Sequence, residues 1–301
     1  MKIVLLFGPT AVGKTELISR LFQNEYEIIN ADSLQVYRSL DIGTAKPSKD
    51  LLDKIPHHLI DILSPREQFN AGEFVRMADE LAKDISSRGK VPVICGGTAF
   101  YFKNYLFGLP KIPAINSSFR KDLQDELKIK GLDALYEELI LVDSERAKIV
   151  HRNDTYRILR SLEIVRSTGM VQSGFMPPGA LRSEITPLVM GLERDRTELY
   201  NRIDQRVDEM FQSGFVNEVK HCFAEGLKET DPGMQGIGYR EFFSLGKRGE
   251  ITISAVRDLI KMNSRRYAKR QITFFRSLPD VQWFHPDNVG LIQNEIDGFL
   301  G

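Results

Sequence analysis

The chain has 301 residues, 42% of them hydrophobic and 27% charged, with 41 basic residues balanced by 41 acidic ones. This composition is close to that of an average globular protein, which argues against disorder and membrane spanning; the length allows one large domain or a core with a second, smaller unit. Zero net charge at first speaks against a nucleic-acid partner, yet Arg257, Lys261, Arg265, Arg266, Lys269, Arg270 and Arg276 stand against the single acid Asp258 within one stretch, so the balance conceals a basic segment.

In chain order, Ile3-Val4-Leu5-Leu6-Phe7 is a short apolar run stopped by Gly8, which predicts a buried parallel strand. Thr15 to Phe22 predicts a helix, with Leu17, Ile18, Leu21 and Phe22 on one stripe. Further strands are expected at Glu27 to Ala31 and Val91 to Cys95, on either side of a helix over Ala71 to Ser87. Between about Pro110 and Ser183 helical patterns dominate (119–130, 132–141 and 154–167), and Ser167 to Ser183, with Gly169, Gly174, Pro177, Pro178 and Gly179, is expected to be a mobile loop. Strand character returns at Leu188 to Leu192. A long helix from Arg196 to about Glu225 follows, open to interruption at Gly214 and capped by Gly226, then a last helix over Ser254 to Phe275 with Ser254 as N-cap.

Alternating strands and helices predict an α/β fold with a mostly parallel sheet flanked by helices, plus a helical insertion. The expected division is a core at 1–112, the insertion at 113–185, and the rest of the core, with the basic helix, at 186–301. Cys95 and Cys222 are too far apart in sequence, and too poor in His or Cys neighbours, to suggest a disulfide framework or a zinc site. The N-terminus opens directly into a strand, without a signal-peptide pattern. A cytoplasmic protein with no membrane partner is therefore expected, with a monomer as the default.

Gly8-Pro9-Thr10-Ala11-Val12-Gly13-Lys14-Thr15 matches G-x-x-x-x-G-K-[ST] between the strand and helix that this motif requires. Its backbone N–H groups, the Lys14 ammonium and the helix N-terminus can hold a diphosphate or triphosphate, and Thr15 offers a hydroxyl to Mg²⁺. The loop does not name a reaction, since kinases and ATPases share it. In such sheets ligands lie beyond the carboxyl ends of the strands. That rule singles out Asp32, opening Asp32-Ser33-Leu34-Gln35-Val36-Tyr37, and Thr98 in Gly96-Gly97-Thr98-Ala99-Phe100-Tyr101. Asp41 to Pro47 is a polar loop that can line the same cleft. His57 and His58 look like a structural pair. Arg194, Arg196, Arg202 and Arg206 follow the last strand run and are candidates to neutralise a diphosphate; Arg206 is counted with the loop.

These segments, with Gly236-Ile237-Gly238-Tyr239-Arg240 and Tyr267-Ala268-Lys269-Arg270-Gln271, resemble the bacterial tRNA dimethylallyltransferases, also called tRNA isopentenyltransferases, through nearly the whole chain. The resemblance implies transfer of a dimethylallyl group from dimethylallyl diphosphate to N6 of the adenosine 3′-adjacent to the anticodon, the phosphate loop gripping the leaving diphosphate. It also implies a catalytic set of Asp32, Thr98 and Lys14, with Thr98 contacting leaving group and RNA. Contacts to the tRNA anticodon stem-loop are implied for Asp32, Ser33, Leu34, Gln35, Thr98, Arg120, Tyr156, Arg157, Ile158, Leu159, Arg160, Gln235, Gly236, Ile237, Gly238, Tyr239 and Arg240. The target base must leave its stack, which suits the nearby Tyr37, Phe100 and Tyr101. Eukaryotic relatives append a zinc-finger segment for which this chain lacks cysteines, and relatives acting on free adenine nucleotides share the loop and the Asp motif. A small-molecule kinase and a nucleotide-switched RNA-binding module are the rival readings.

Overall fold

The computed structural model describes residues 1–23, 25–110, 112–113, 118–175, 179–247, 249 and 252–301. They fall into two compact units, Met1–Leu106 with Arg182–Gly301, and Phe107–Leu181. The second unit begins and ends a few residues before the expected 113 and 185. Arg182 belongs to the larger unit, because its guanidinium pairs with Asp79 at 2.9 Å and its N–H bonds Leu106 O at 2.9 Å.

The larger unit is built on β1 (Lys2–Phe7), β2 (Tyr26–Asn30), β3 (His57–His58), β4 (Val91–Gly96), β5 (Thr186–Leu192) and β6 (Gln282–Phe284). They form one sheet in the order β3-β2-β4-β1-β5-β6, with every pairing parallel. Its helices are α1 (Lys14–Leu21), α2 (Lys49–Lys54), α3 (Ala71–Ser87) and α4 (Ala99–Phe107), the last ending one residue past the division. The smaller unit contributes α5 (Ser118–Val142), α6 (Ser144–Ile149) and α7 (Thr155–Thr168). The larger unit resumes with α8 (Arg196–Gln212), α9 (Phe215–Ala224), α10 (Arg240–Gly246), α11 (Ile253–Phe275) and α12 (Val289–Leu300).

Strand alternation sends Val4, Leu6, Val93, Cys95, Leu188 and Met190 into one core layer with Leu17, Ile18, Leu199, Ile203, Ile292 and Ile296 from α1, α8 and α12. Each such side chain contributes about 1.5–3 kcal/mol on leaving water. The same alternation turns Phe7 the other way, where it stacks on Phe275 of α11 at 4.4 Å and meets Phe102 of α4 edge-on at 5.0 Å.

The long helix expected from Arg196 to Glu225 divides at Gly214, whose φ of 97° ends one helix and starts the next. Gly226 follows α9 with φ 73°, and Leu227 N–H bonds Cys222 O at 3.0 Å, a Schellman closure. The N-cap of α11 is Thr252, whose side chain accepts from Ala255 N, rather than the expected Ser254. In the smaller unit α5 is broken at Gly131 (φ 78°), so that Leu123, Leu135, Leu139, Ile158 and Leu162 close a separate core. Of the expected mobile loop, Pro177 and Pro178 lie outside the described residues, and Gln172–Gly174 makes one 3-10 turn. No described helix is long and apolar enough to cross a membrane.

Candidate active site

The carboxyl ends of β1, β2 and β4 open onto a cleft of about 1630 Å³ within the larger unit. At the end of β1 a side chain on Gly8 would place its Cβ 2.9 Å from Leu192 O, so glycine alone lets the loop pass so close to β5. Ala11 (φ 62°) and Gly13 (φ 113°) then turn the backbone. Gly13 is the N-cap of α1 and offers no side chain to the first-turn N–H groups, which stay open to an external anion.

Lys14 folds back over this loop and donates to Gly8 O and Pro9 O, both at 2.9 Å. Burial pushes its pKa down to about 8, with Asp32 opposing the fall and Arg206 adding to it. Arg206 reaches in from α8, donating to Thr10 Oγ1 at 2.7 Å and Thr44 O at 3.4 Å. Burial lowers its pKa as well, against the pull of Asp32. Among the described residues, neither cation has a carboxylate within ion-pair distance.

The other arginines proposed from sequence are engaged. Arg194 donates to Val12 O at 2.8 Å and pairs with Glu198 and Asp287; Arg202 donates to Ala11 O at 3.0 Å and pairs with Glu16 at 3.1 Å. Arg196 lies over the Tyr200 ring. Arg206 is the one of the four that lines the cleft without a carboxylate partner among the described residues.

Of the expected diphosphate set, Thr10, Ala11, Gly13, Lys14, Thr15 and Arg206 line the cleft. Gly8, Pro9 and Val12 do not: they are buried, and their carbonyls hold Lys14 and Arg194 in place. The Thr15 hydroxyl has no partner among the described residues, and these contain no group of three or more metal-ligating side chains. A single free hydroxyl of this kind would suit Mg²⁺ carried mainly by phosphate oxygens.

Asp32 follows β2, and its Oδ1 accepts from Leu34 N at 2.9 Å and Gln35 N at 3.4 Å. Oδ2 has no partner among the described residues, leaving a free acceptor on the cleft wall. The turn is fixed from β4. Thr98 N donates to Ala31 O at 3.1 Å, and Thr98 Oγ1 accepts from Ser33 N at 3.0 Å. A Cβ on Gly96 would lie 2.2 Å from Ala31 O, which shows how tightly the two strand ends meet. Thr98 itself is not among the lining residues; its hydroxyl braces the Asp32 turn.

Two residues given no role from sequence complete the wall. The Gln271 amide on α11 accepts from Thr10 N at 3.0 Å and donates to Gly97 O at 2.7 Å, tying the phosphate loop to the Thr98 loop. Tyr267, one turn earlier, is pushed up to about 12 by burial and then by Asp32, with hydrogen bonds to Gln271 and Thr98 pulling the other way. A helix-face spacing of four in the Tyr267–Gln271 motif was the available signal.

Of the residues with implied tRNA contacts, Ser33, Leu34, Gln35, Gln235, Gly236, Ile237 and Arg240 line the cleft. Gly238 and Tyr239 do not, being buried against Phe215. In the smaller unit Tyr156 and Arg157 are exposed, whereas Ile158 is fully buried in the core and Leu159 packs against it. Arg120 and Arg160 both pair with the buried Glu163. Direct RNA contact therefore does not hold for Ile158 or Tyr239, which shape the surface from beneath. Of the three aromatics considered for stacking, Tyr37 and Tyr101 are buried, Tyr101 against Phe74 at 4.4 Å, and Phe100 is exposed.

The basic helix is also largely compensated. Lys261 and Arg265 pair with Asp208 and Asp204 of α8, Arg257 approaches Asp208 at 3.7 Å, and Arg276 pairs with Glu193. Arg266, Lys269 and Arg270 remain exposed without a carboxylate partner among the described residues.

Comparison with known proteins places this geometry. The model of the IPP transferase family matches residues 35–278, and that of isopentenyl transferases matches 1–64. The chain is 42% identical over 287 residues to a tRNA dimethylallyltransferase of Borrelia turicatae, covering 95% of both chains. It is 39% identical to the one from Geobacter sulfurreducens, covering all of this chain and 97% of that one. The chain belongs to the tRNA dimethylallyltransferase family. Its fold is that of solved members: a full-length tRNA isopentenylpyrophosphate transferase from Bacillus halodurans superposes with TM-score 0.70 at 37% identity, covering 99% of this chain and 96% of that one. A eukaryotic dimethylallyltransferase acting on tRNA superposes with TM-score 0.72 at 26% identity over 91% of this chain and 69% of that one. Likeness to the family spans both units, including the helices of Phe107–Leu181.

Proposed function

We propose that this protein transfers the dimethylallyl group of dimethylallyl diphosphate to N6 of the adenosine 3′-adjacent to the anticodon of tRNA, releasing diphosphate. The observation that carries the reading is the pair of buried cations, Lys14 and Arg206, at the open N-terminus of α1, without acidic partners among the described residues. Such a site suits an anion of two or more negative charges. Asp32, with one oxygen tied to its own turn and the other free, stands beside it.

In the proposed reaction N6 attacks C1 of the dimethylallyl group as the bond from C1 to the diphosphate oxygen breaks. The electron pair leaves with that oxygen, where Lys14 and Arg206 neutralise the growing charge. The adenine amine is a poor nucleophile because its lone pair is delocalised into the ring, and Asp32 Oδ2 takes the N6 proton as the new bond forms, an effect worth roughly 10²–10⁴-fold. Mg²⁺, held on the diphosphate and by Thr15, would supply further charge neutralisation. Leu34, Gln35, Ile237 and Arg240 would surround the base, and Arg120, Tyr156, Arg157 and Arg160 of the smaller unit would meet the anticodon stem-loop.

Incubation with labelled dimethylallyl diphosphate and unmodified tRNA, followed by digestion of the RNA, tests the reading. Label should appear in N6-(dimethylallyl)adenosine. In Asp32→Asn, which keeps size but loses the proton acceptor, transfer should fall about a hundredfold or more while tRNA affinity holds. RNA that stays unlabelled with wild-type protein would remove the proposal.

A further inference from the structure

The loop from Asp41 to Pro47 has no role in the chemistry above, yet an elaborate attachment holds it. Glu218, in the first turn of α9, accepts Asp41 N at 2.9 Å and Ile42 N at 2.7 Å on Oε2, and Gly43 N at 3.0 Å and the Tyr239 hydroxyl at 2.7 Å on Oε1. Three consecutive backbone N–H groups converging on one carboxylate form a nest that fixes the local backbone. The loop is also pressed against this corner: a Cβ on Gly43 would lie 2.5 Å from both Phe215 Cε2 and the Tyr239 hydroxyl. Lys46 pins the far side through Tyr37 O and Asp41 Oδ1, each at 2.6 Å.

What leaves the loop toward the cleft is a pair of carbonyls. Thr44 O accepts from the Gln35 amide at 3.1 Å and from Arg206 at 3.4 Å, and Ala45 O accepts from Gln35 at 3.2 Å. Gln35 belongs to the wall assigned to the base, and Arg206 to the leaving group. One short loop thus orients a residue for each reactant. Packing of Phe215 and Tyr239 could hold the loop down, but only directed acceptors fix its rotation, and hence where the carbonyls of Thr44 and Ala45 point.

We infer that Glu218 is a positioning residue for the transfer reaction: it sets the Asp41–Ala45 loop so that Gln35 and Arg206 meet the acceptor base and the diphosphate in register. This role rests on the proposed transferase reading. Glu218 touches neither reactant, and its effect belongs in the chemical step rather than in tRNA affinity, which phosphate contacts dominate.

The test is single-turnover transfer at saturating substrates, scaled to folded protein, with tRNA affinity and Tm measured alongside. Glu218→Gln turns an N–H toward backbone N–H groups, so the rate should fall roughly tenfold to a hundredfold with tRNA affinity unchanged within about twofold. Tyr239→Phe removes one of the four donors, and its rate should fall about twofold to threefold; it serves if Glu218→Gln does not fold. In a Gln35→Ala background Glu218→Gln should cost several-fold less than in wild type, because part of its effect passes through Gln35. A lowered Tm with a wild-type rate constant, or a full effect in the Gln35→Ala background, would overturn the inference. Wild-type protein separates the two proposals. If it leaves tRNA unlabelled, the transferase reading falls and this role with it; if it labels tRNA and the variants match it, only the role of Glu218 falls.

Discussion

Raising the pH from 7 to 9 should weaken binding of the prenyl donor about tenfold while leaving tRNA binding nearly unchanged. The cause is Lys14, whose burial brings its pKa down to about 8 in the free protein. A lysine with a lowered pKa keeps its proton below that value and loses it above, so the competent, charged fraction drops from ~0.9 at pH 7 to ~0.1 at pH 9, and apparent affinity scales with that fraction. Tyr267 and Cys95, both pushed up to about 12 by burial, do not titrate in this window. Bound diphosphate would draw the proton back, so donor binding at pH 9 should take up close to one proton, which calorimetry in buffers of different ionisation enthalpy reads directly. Lys14→Arg keeps its charge throughout and should show a flat profile, at whatever affinity its longer side chain allows. A wild-type donor KM that is constant from pH 7 to 9, with no proton uptake, would refute this account of the site.

Replacing Arg266, Lys269 and Arg270 together with alanine should lower the slope of log K for tRNA against log salt by about 2 to 3 if each meets a phosphate. Replacing Lys261 and Arg265, whose charges are already met by Asp208 and Asp204, should leave that slope unchanged and lower stability instead; equal slopes for both variants would show the distinction to be empty. Gly96→Ala should cost about 3 kcal/mol in urea unfolding, since its methyl group would stand 2.2 Å from Ala31 O and the ends of β2 and β4 would have to part.

Sequence periodicity located the long elements because their burial is one-sided or complete. β1, β2, β4 and β5 read as apolar runs, and α3 matches its expected range of Ala71 to Ser87. α12 escaped although Ile292 and Ile296 give it a buried face; three other elements had no such pattern. β3 is two histidines joined to β2 by register with Ile28 and Ile29, and β6 is the three residues Gln282–Phe284. α4 is buried nearly all round, with Ala99, Tyr101, Phe102, Asn104, Tyr105 and Leu106 inside, so it shows no amphipathic stripe. At the site, the phosphate loop and Asp32 were legible because strand ends carry the chemistry of this kind of sheet. The choice of Arg206 over its three neighbours was not decided by spacing: it depends on carboxylates such as Glu198, Asp287 and Glu16, which occupy Arg194 and Arg202 only once the chain has folded. The basic stretch misled for the same reason. Asp204 and Asp208, one helical turn apart on α8, meet Arg265 and Lys261 of α11, a pairing between helices that a charge count along the sequence cannot reveal.

Thr10 is held at two points by distant parts of the chain: its N–H by Gln271 and its hydroxyl by Arg206. The octapeptide that announces the site is therefore made early, and its supports come late. As the protein leaves the ribosome, the strand and turn that follow Met1 are present long before α8 and α11 can close over them. Until the last quarter of the molecule has docked, the nascent chain carries the motif without a formed pocket. Affinity for the donor should appear abruptly near the end of synthesis rather than growing with length, and a terminated chain lacking α11 should carry the motif and be unable to hold its ligand.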